Sequence, residues 1–153
     1  MPCTRNWILG TNDHNRNHIV TVAISGERTW FRVPDLWHFT SELPRTEISL
    51  DEFDLDTDVW FCGHEQPTLR AIGSHFHRLS AIDSIDPILL LEHPAVRPAV
   101  WGRGAVLDGF HRIVLAYARQ QRFIPAKILN VLPTALALSL HEVNSLRTAG
   151  LIP

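Results

Sequence analysis

Leu107-Asp108-Gly109-Phe110-His111-Arg112 lies between two apolar patterns of different period. Before it, Ile88-Leu89-Leu90-Leu91 and Ala105-Val106-Leu107 are short apolar runs bounded by turn residues, the mark of strands. After it, Phe110, Ile113, Val114 and Tyr117 recur at helical spacing. Asp108-Gly109 is therefore read as the turn through which a strand feeds a helix, with His111 and Arg112 in the first helical turn. That turn offers backbone N–H groups and the positive end of the helix dipole. An imidazole and a guanidinium beside it favour an anion, phosphate above all. Asp108 is a candidate for holding a metal or a proton. The competing reading is that it bonds the turn or caps the helix, and that Arg112 bridges to it.

The chain has 153 residues, 45% of them hydrophobic and 20% charged, the composition of one globular domain or one with a small appendage. No apolar run approaches the roughly 20 residues that span a bilayer. The first residues lack the charged-then-apolar pattern of a signal peptide. Two cysteines, Cys3 and Cys62, are too few for a disulfide framework or a zinc site. A cytoplasmic protein is expected, with no membrane partner. The formal net charge of −2 argues against strong non-specific DNA binding. Charge is uneven, however. Residues 1–66 carry five Arg against eleven Asp and Glu, net −6; residues 67–153 carry eight Arg and one Lys against five Asp and Glu, net +4. The anion-attracting half is the half that holds the Asp-Gly-Phe-His-Arg box.

Working outward, residues 19–24 and 29–33 read as a β-hairpin about a turn at residues 25–28. Residues 35–41 suit a short helix, and residues 47–50 a strand. Residues 51–58 hold five acids but lack the glycine and distal glutamate of a calcium loop, so a solvated acidic loop is expected. Pro67 suits a helix start, and Leu69, Ile72, Phe76, Leu79 and Ile82 form one apolar stripe over residues 67–82. His75 and His77 lie two apart and face different ways. Residues 88–91 should be a strand buried on both faces. Residues 92–103 form a loop rich in Pro and Gly. The box helix is expected over 110–122, a further strand over 123–129, and a last helix over 134–148 opened by Pro133 and ended at Gly150.

From Glu47 to Leu129 the order is strand, acidic loop, helix, strand, loop, strand, box, helix, strand. With Ile48-Ser49-Leu50, Pro87-Ile88-Leu89-Leu90, the box itself and Ile124-Pro125-Ala126-Lys127-Ile128-Leu129, the chain resembles the ParB/sulfiredoxin superfamily, which includes the ParB-like nuclease domain. It is most similar to small bacterial ParB-like proteins with a Trp-Phe pair, a Pro-Thr-x-Arg helix start and an Asp-Gly-Met-His-Arg box, here Trp60-Phe61, Pro67-Thr68-Leu69-Arg70 and residues 108–112. The resemblance implies an α+β fold: a small mixed sheet with packed helices over residues 47–130. A β-rich extension (residues 1–46) precedes it, and a C-terminal helix and tail (residues 131–153) follow. Either appendage is a candidate homodimer surface.

The resemblance also implies chemistry. The superfamily's box binds nucleotide phosphates, which would place His111 and Arg112 on phosphate. Sulfiredoxins carry a catalytic cysteine where Phe110 stands, so sulfinic-acid reduction is not implied. Nor is DNA clamping of the partitioning type, which needs an Arg-rich box and a following helix-turn-helix. Free serine kinases of the superfamily have a His-Glu pair that His64-Glu65 resembles. The leading expectation is a nucleotide-dependent enzyme. ATP or another NTP with Mg²⁺ would sit at Gly109, His111 and Arg112, with Arg103 and Arg97 closing over the polyphosphate. Mg²⁺ would lie near Asp108. Glu65 or Glu92 would activate a hydroxyl or water for phosphoryl transfer to a small molecule. Glu92-His93 follows a strand, where ligands collect in open α/β layouts. Trp101 is a candidate for stacking on a base, against plain packing. The alternatives are a DNA-associated nuclease or plasmid-related binder, and a non-catalytic nucleotide-sensing module.

Overall fold

The computed structural model describes residues 19–54, 85–98 and 100–152. Residues 1–18 of the β-rich extension, the helix over 67–82, Cys3, Trp60-Phe61, Cys62, His64, Glu65, His75 and His77 lie outside the described residues, as do the last four residues of the acidic run. Among the described residues the protein is α+β, with two sheets and three α-helices.

β1 (Ile19–Ile24) and β2 (Glu27–Arg32) form the expected hairpin, but its turn is shorter than expected. Ser25 and Gly26 alone make it, both at positive φ (52° and 79°). Such a primed turn matches the right-handed twist of the strands it joins, so Glu27 and Arg28 belong to β2. α1 (Val33–Phe39) follows at once, with Pro34 in its first turn, where the missing N–H costs nothing. β3 (Thr46–Ser49) runs into a 3-10 turn, Leu50–Glu52.

The remaining elements are β4 (Ile88–Leu91), β5 (Ala105–Asp108), α2 (Phe110–Ala118), β6 (Phe123–Leu129) and α3 (Leu140–Thr148). Four strands make a mixed sheet in the order β3-β6-β4-β5. β4 runs parallel to β6 and antiparallel to β5, while β3 is antiparallel to β6. β4 is buried throughout, as its unbroken apolar run requires. Ile88 and Leu90 point to α2, joining Ile113, Val114, Ile124 and Trp101. Leu89 and Leu91 point the other way, to Val22 and Phe31 of the hairpin and Leu36 of α1. The sheet is thus sandwiched between α2 and the hairpin with α1. α3 covers the outer face of the hairpin, where Val143 and Leu146 bury Trp30.

Boundaries of all three helices differ from expectation: α1 spans Val33–Phe39, two residues earlier than 35–41. α2 stops at Ala118, not near residue 122, because Gln120 adopts the left-handed conformation (φ 56°). Gln121 N–H then bonds the Ala116 carbonyl and Gln120 N–H that of Tyr117, a Schellman ending without the usual glycine. α3 begins at Leu140, not after Pro133. Residues after Pro133 form only a 3-10 turn, Thr134–Leu136, and Leu138 N–H donates to the Trp30 carbonyl at 2.8 Å. Ser139 and Glu142 then close a capping box. Gly150 takes positive φ (73°) just past α3, as expected of a C-terminal cap. Among the described residues no helix is long and apolar enough to cross a membrane.

Candidate functional site

β5 ends at Asp108, Gly109 is the N-cap of α2, and Phe110 is its first residue, so the strand–glycine–helix turn stands where the spacing puts it. The first intrahelical bond runs from Ile113 N–H to the Gly109 carbonyl at 3.0 Å. The first-turn amides therefore project from the N-terminus. Gly109 has φ 109°, and a Cβ there would collide with the Ile88 side chain. Both demands are structural: glycine allows the chain to turn tightly against β4.

Asp108 is aimed by an irregularity. The β4–β5 register shifts between Leu89, opposite Asp108, and Leu90, opposite Val106. Leu107 is the additional residue, so strict alternation is broken. Leu107 and Asp108 both turn to the side of Leu89, toward the hairpin and α1. There Asp108 Oδ2 accepts a hydrogen bond from Trp37 Nε1 at 2.7 Å. On its other side Arg112 Nη1 lies 3.9 Å from the same oxygen and donates to the Pro87 carbonyl at 3.2 Å. The Asp108 side chain is 17% exposed and that of Arg112 28%. Asp108 therefore neither caps the helix nor stands alone. It is one corner of a Trp37–Asp108–Arg112 cluster. His111, expected beside Arg112 as an anion ligand, is only 5% exposed and belongs to the buried side of α2, whereas the Arg112 side chain is part-exposed.

The donor set at Asp108 does not suit Mg²⁺. One carboxylate faces an indole N–H and a guanidinium, and a cation would have to displace or oppose both. Among the described residues no group of three or more His, Cys, Asp or Glu side chains converges on a metal position.

Glu92 and Arg103 do not join this cluster. Glu92 follows Leu91, which pairs with Ala105, whereas Asp108 pairs with Leu89. At about 3.3 Å per residue the separation along the strands is roughly 10 Å. Glu92 Oε2 instead meets Arg103 Nε at 3.1 Å, and Arg103 Nε lies 3.4 Å from Glu52 Oε1. The Arg103 guanidinium stacks 4.8 Å from the Trp101 ring centroid, and Trp101 Nε1 donates to Glu52 at 3.3 Å. Trp101 is fully buried, so the base-stacking role gives way to the packing role. The imidazole of His93 accepts from the Ala95 N–H at 3.1 Å and folds onto its own loop, while Arg97 is exposed. These groups fasten the loop between β4 and β5.

Sequence reading missed Trp37. It lies 71 residues before Asp108, and no local spacing links them. It also missed Lys127, on β6, whose Nζ donates to the Thr40 and Ser41 carbonyls at 3.4 and 3.1 Å. Lys127 and Asp108 both pair with Leu89, one from each neighbouring strand, so a single row of the sheet holds the C-terminal part of α1 and the residues just after it. Comparison with family models, with curated proteins and with solved structures returns no match to this chain.

Proposed function

We propose that this chain is a phosphate-ester-binding protein of the ParB/sulfiredoxin type whose ligand is a nucleoside triphosphate held at the start of α2. The observation that carries this reading is the meeting, at one point, of a glycine-capped helix N-terminus and the Arg112 guanidinium. Both favour phosphate oxygens, the first through aligned N–H dipoles and the second through its planar fork of donors. The Pro87 carbonyl fixes Arg112 at Nη1, which orients that fork in advance. The order of elements from β3 to β6, with the box between β5 and α2, supports the superfamily.

The chemistry proposed is phosphoryl transfer to a small molecule, or NTP hydrolysis. It needs mainly positioning and charge neutralisation. Arg112 offsets phosphate charge, and the Pro87 carbonyl holds it in place. Glu92, engaged by Arg103 at the other end of the strands, is poorly placed as a base for this point. Glu65 keeps that candidacy.

The test is a thermal-shift panel of ATP, CTP, GTP and pyrophosphate on wild type and Arg112→Ala. A ligand at 100 times its Kd should stabilise wild type by about 2.7 kcal/mol. Loss of the shift in Arg112→Ala is expected; an equal shift in both proteins, or none in either, overturns the reading. A non-catalytic nucleotide-sensing module is favoured by one observation: Asp108 already accepts from the Trp37 indole and lies in a loose ion pair with Arg112, so it has little left to offer a reacting group. Turnover lost in Asp108→Asn while binding survives would decide for the enzyme. Binding without turnover in wild type would decide for the sensor. Gel retardation with a steep salt dependence would redirect the reading to DNA.

A further inference from the structure

The geometry points to Trp37 as a positioning residue that sets how readily Arg112 is released to a phosphate, which rests on the phosphate-binding reading above. Asp108 Oδ2 faces two donors at unequal distance. The Trp37 indole, at 2.7 Å, makes a charge-assisted hydrogen bond. Arg112, at 3.9 Å, is beyond hydrogen-bond range and forms only a loose ion pair. Asp108 is thus held by the indole, while the guanidinium is tethered by the neutral Pro87 carbonyl. That division keeps Arg112 close to the helix start without locking it to a competing anion.

The indole is itself held in place. α1 carries it, and α1 is tied to the sheet beyond its far end by Lys127 through the Thr40 and Ser41 carbonyls. Leu36, next to Trp37, is fully buried against Leu89 and Leu107. If the indole N–H is removed, Arg112 becomes the remaining charged partner of Asp108 Oδ2. Attraction between opposite charges grows as they approach, so the carboxylate closes on the guanidinium. A phosphate must then compete with a tight ion pair.

Titrating full-length protein with inorganic pyrophosphate by calorimetry tests this. Trp37→Phe keeps the ring and removes the donor, and should weaken binding on the order of tenfold, the scale of one hydrogen bond to a charged group. In an Asp108→Asn background, where the competing anion is gone, the same substitution should change affinity little. Unaltered affinity in Trp37→Phe, or an equal tenfold loss in the Asp108→Asn background, overturns the inference. Should Trp37→Phe fail to fold, wild type decides through the ¹H–¹⁵N resonance of the Trp37 indole. Movement of that resonance with the pyrophosphate titration supports the role, and a stationary resonance overturns it. Wild type that binds no pyrophosphate removes the phosphate-binding reading and this role together, whereas binding that ignores Trp37 removes only this role.

Discussion

Gly109 concentrates two demands on one residue, a φ of 109° and contact with Ile88 closer than any Cβ permits. Gly26 carries only the first, since a Cβ there meets nothing within 4 Å. Gly26→Ala should therefore cost only the backbone strain, about 1–3 kcal/mol. Gly109→Ala adds overpacking against Ile88, a further 1–3 kcal/mol or so. Urea denaturation of the two variants checks the order; equal losses would show that β4 relaxes away from the new methyl. The need for Gly109 was legible, because a strand period changing to a helix period requires a sharp turn. The direction of Asp108 was not. Alternation alone puts it on the Val106 side, and the register shift at Leu89/Leu90 moves it to the hairpin side.

Among the elements, α3 has the clearest local code. Ser139 accepts from the Glu142 N–H at 3.1 Å, and Glu142 Oε1 accepts from the Ser139 N–H at 3.2 Å. The Ser139 backbone N–H, then the Ser139 hydroxyl, lowers the Glu142 carboxyl below its ordinary value of 4.5, helped by Arg32, whose Nη2 lies 3.5 Å away. A lowered folded-state value means stability that is fully present above the unfolded-state value and lost as pH falls through the folded one. The advantage of wild type over Glu142→Gln in urea should therefore hold at pH 7 and shrink below about pH 4. An advantage independent of pH would show that the charge on Glu142 contributes nothing. Ser139→Ala should cost about 1 kcal/mol by loss of the cap. The Ser-x-x-Glu signature stands in the sequence, yet Pro133 is the louder start signal. Leu138 decides between them, because its bond to the Trp30 carbonyl keeps the chain extended until Ser139. The end of α2 offered no such signal, since glutamine rarely takes the left-handed position that Gln120 adopts.

At the scale of the whole molecule, β4 is the member that both cores share. Leu90 faces α2 and Leu89 faces the hairpin and α1, and both are fully buried. Leu89→Ala and Leu90→Ala should each cost about 2–5 kcal/mol, the range for a cavity in a well-filled core. Leu89 also lies between Asp108 and Lys127, so its loss should loosen α1. Hydrogen exchange in α1 should then rise in Leu89→Ala more than in Leu90→Ala. Equal exchange in the two variants would mean that α1 is held by its hydrogen bonds alone. The same arrangement divides the expected site residues. An antiparallel β4–β5 pair sends Glu92 and Arg103 to one end and Asp108 and Arg112 to the other.

Local chemistry in the chain determined the hairpin, the buried four-residue strand, the strand–glycine–helix turn and the positions of His111 and Arg112 on it. Those features depend on side-chain period, turn residues and glycine, all of which act within a few residues. Tertiary structure alone decided that Asp108 bonds Trp37, that His111 is buried, and that Arg103 is paired with carboxylates. Each of those outcomes needs a partner brought from another strand or layer. Trp37 reaches Asp108 across 71 residues only because the hairpin and α1 fold over the sheet to bury Val22, Phe31 and Leu36 against Leu89 and Leu107. Apolar burial supplies the energy of that approach and is indifferent to which polar groups meet. Their meeting is set by register and layer order, which no local pattern in the chain encodes.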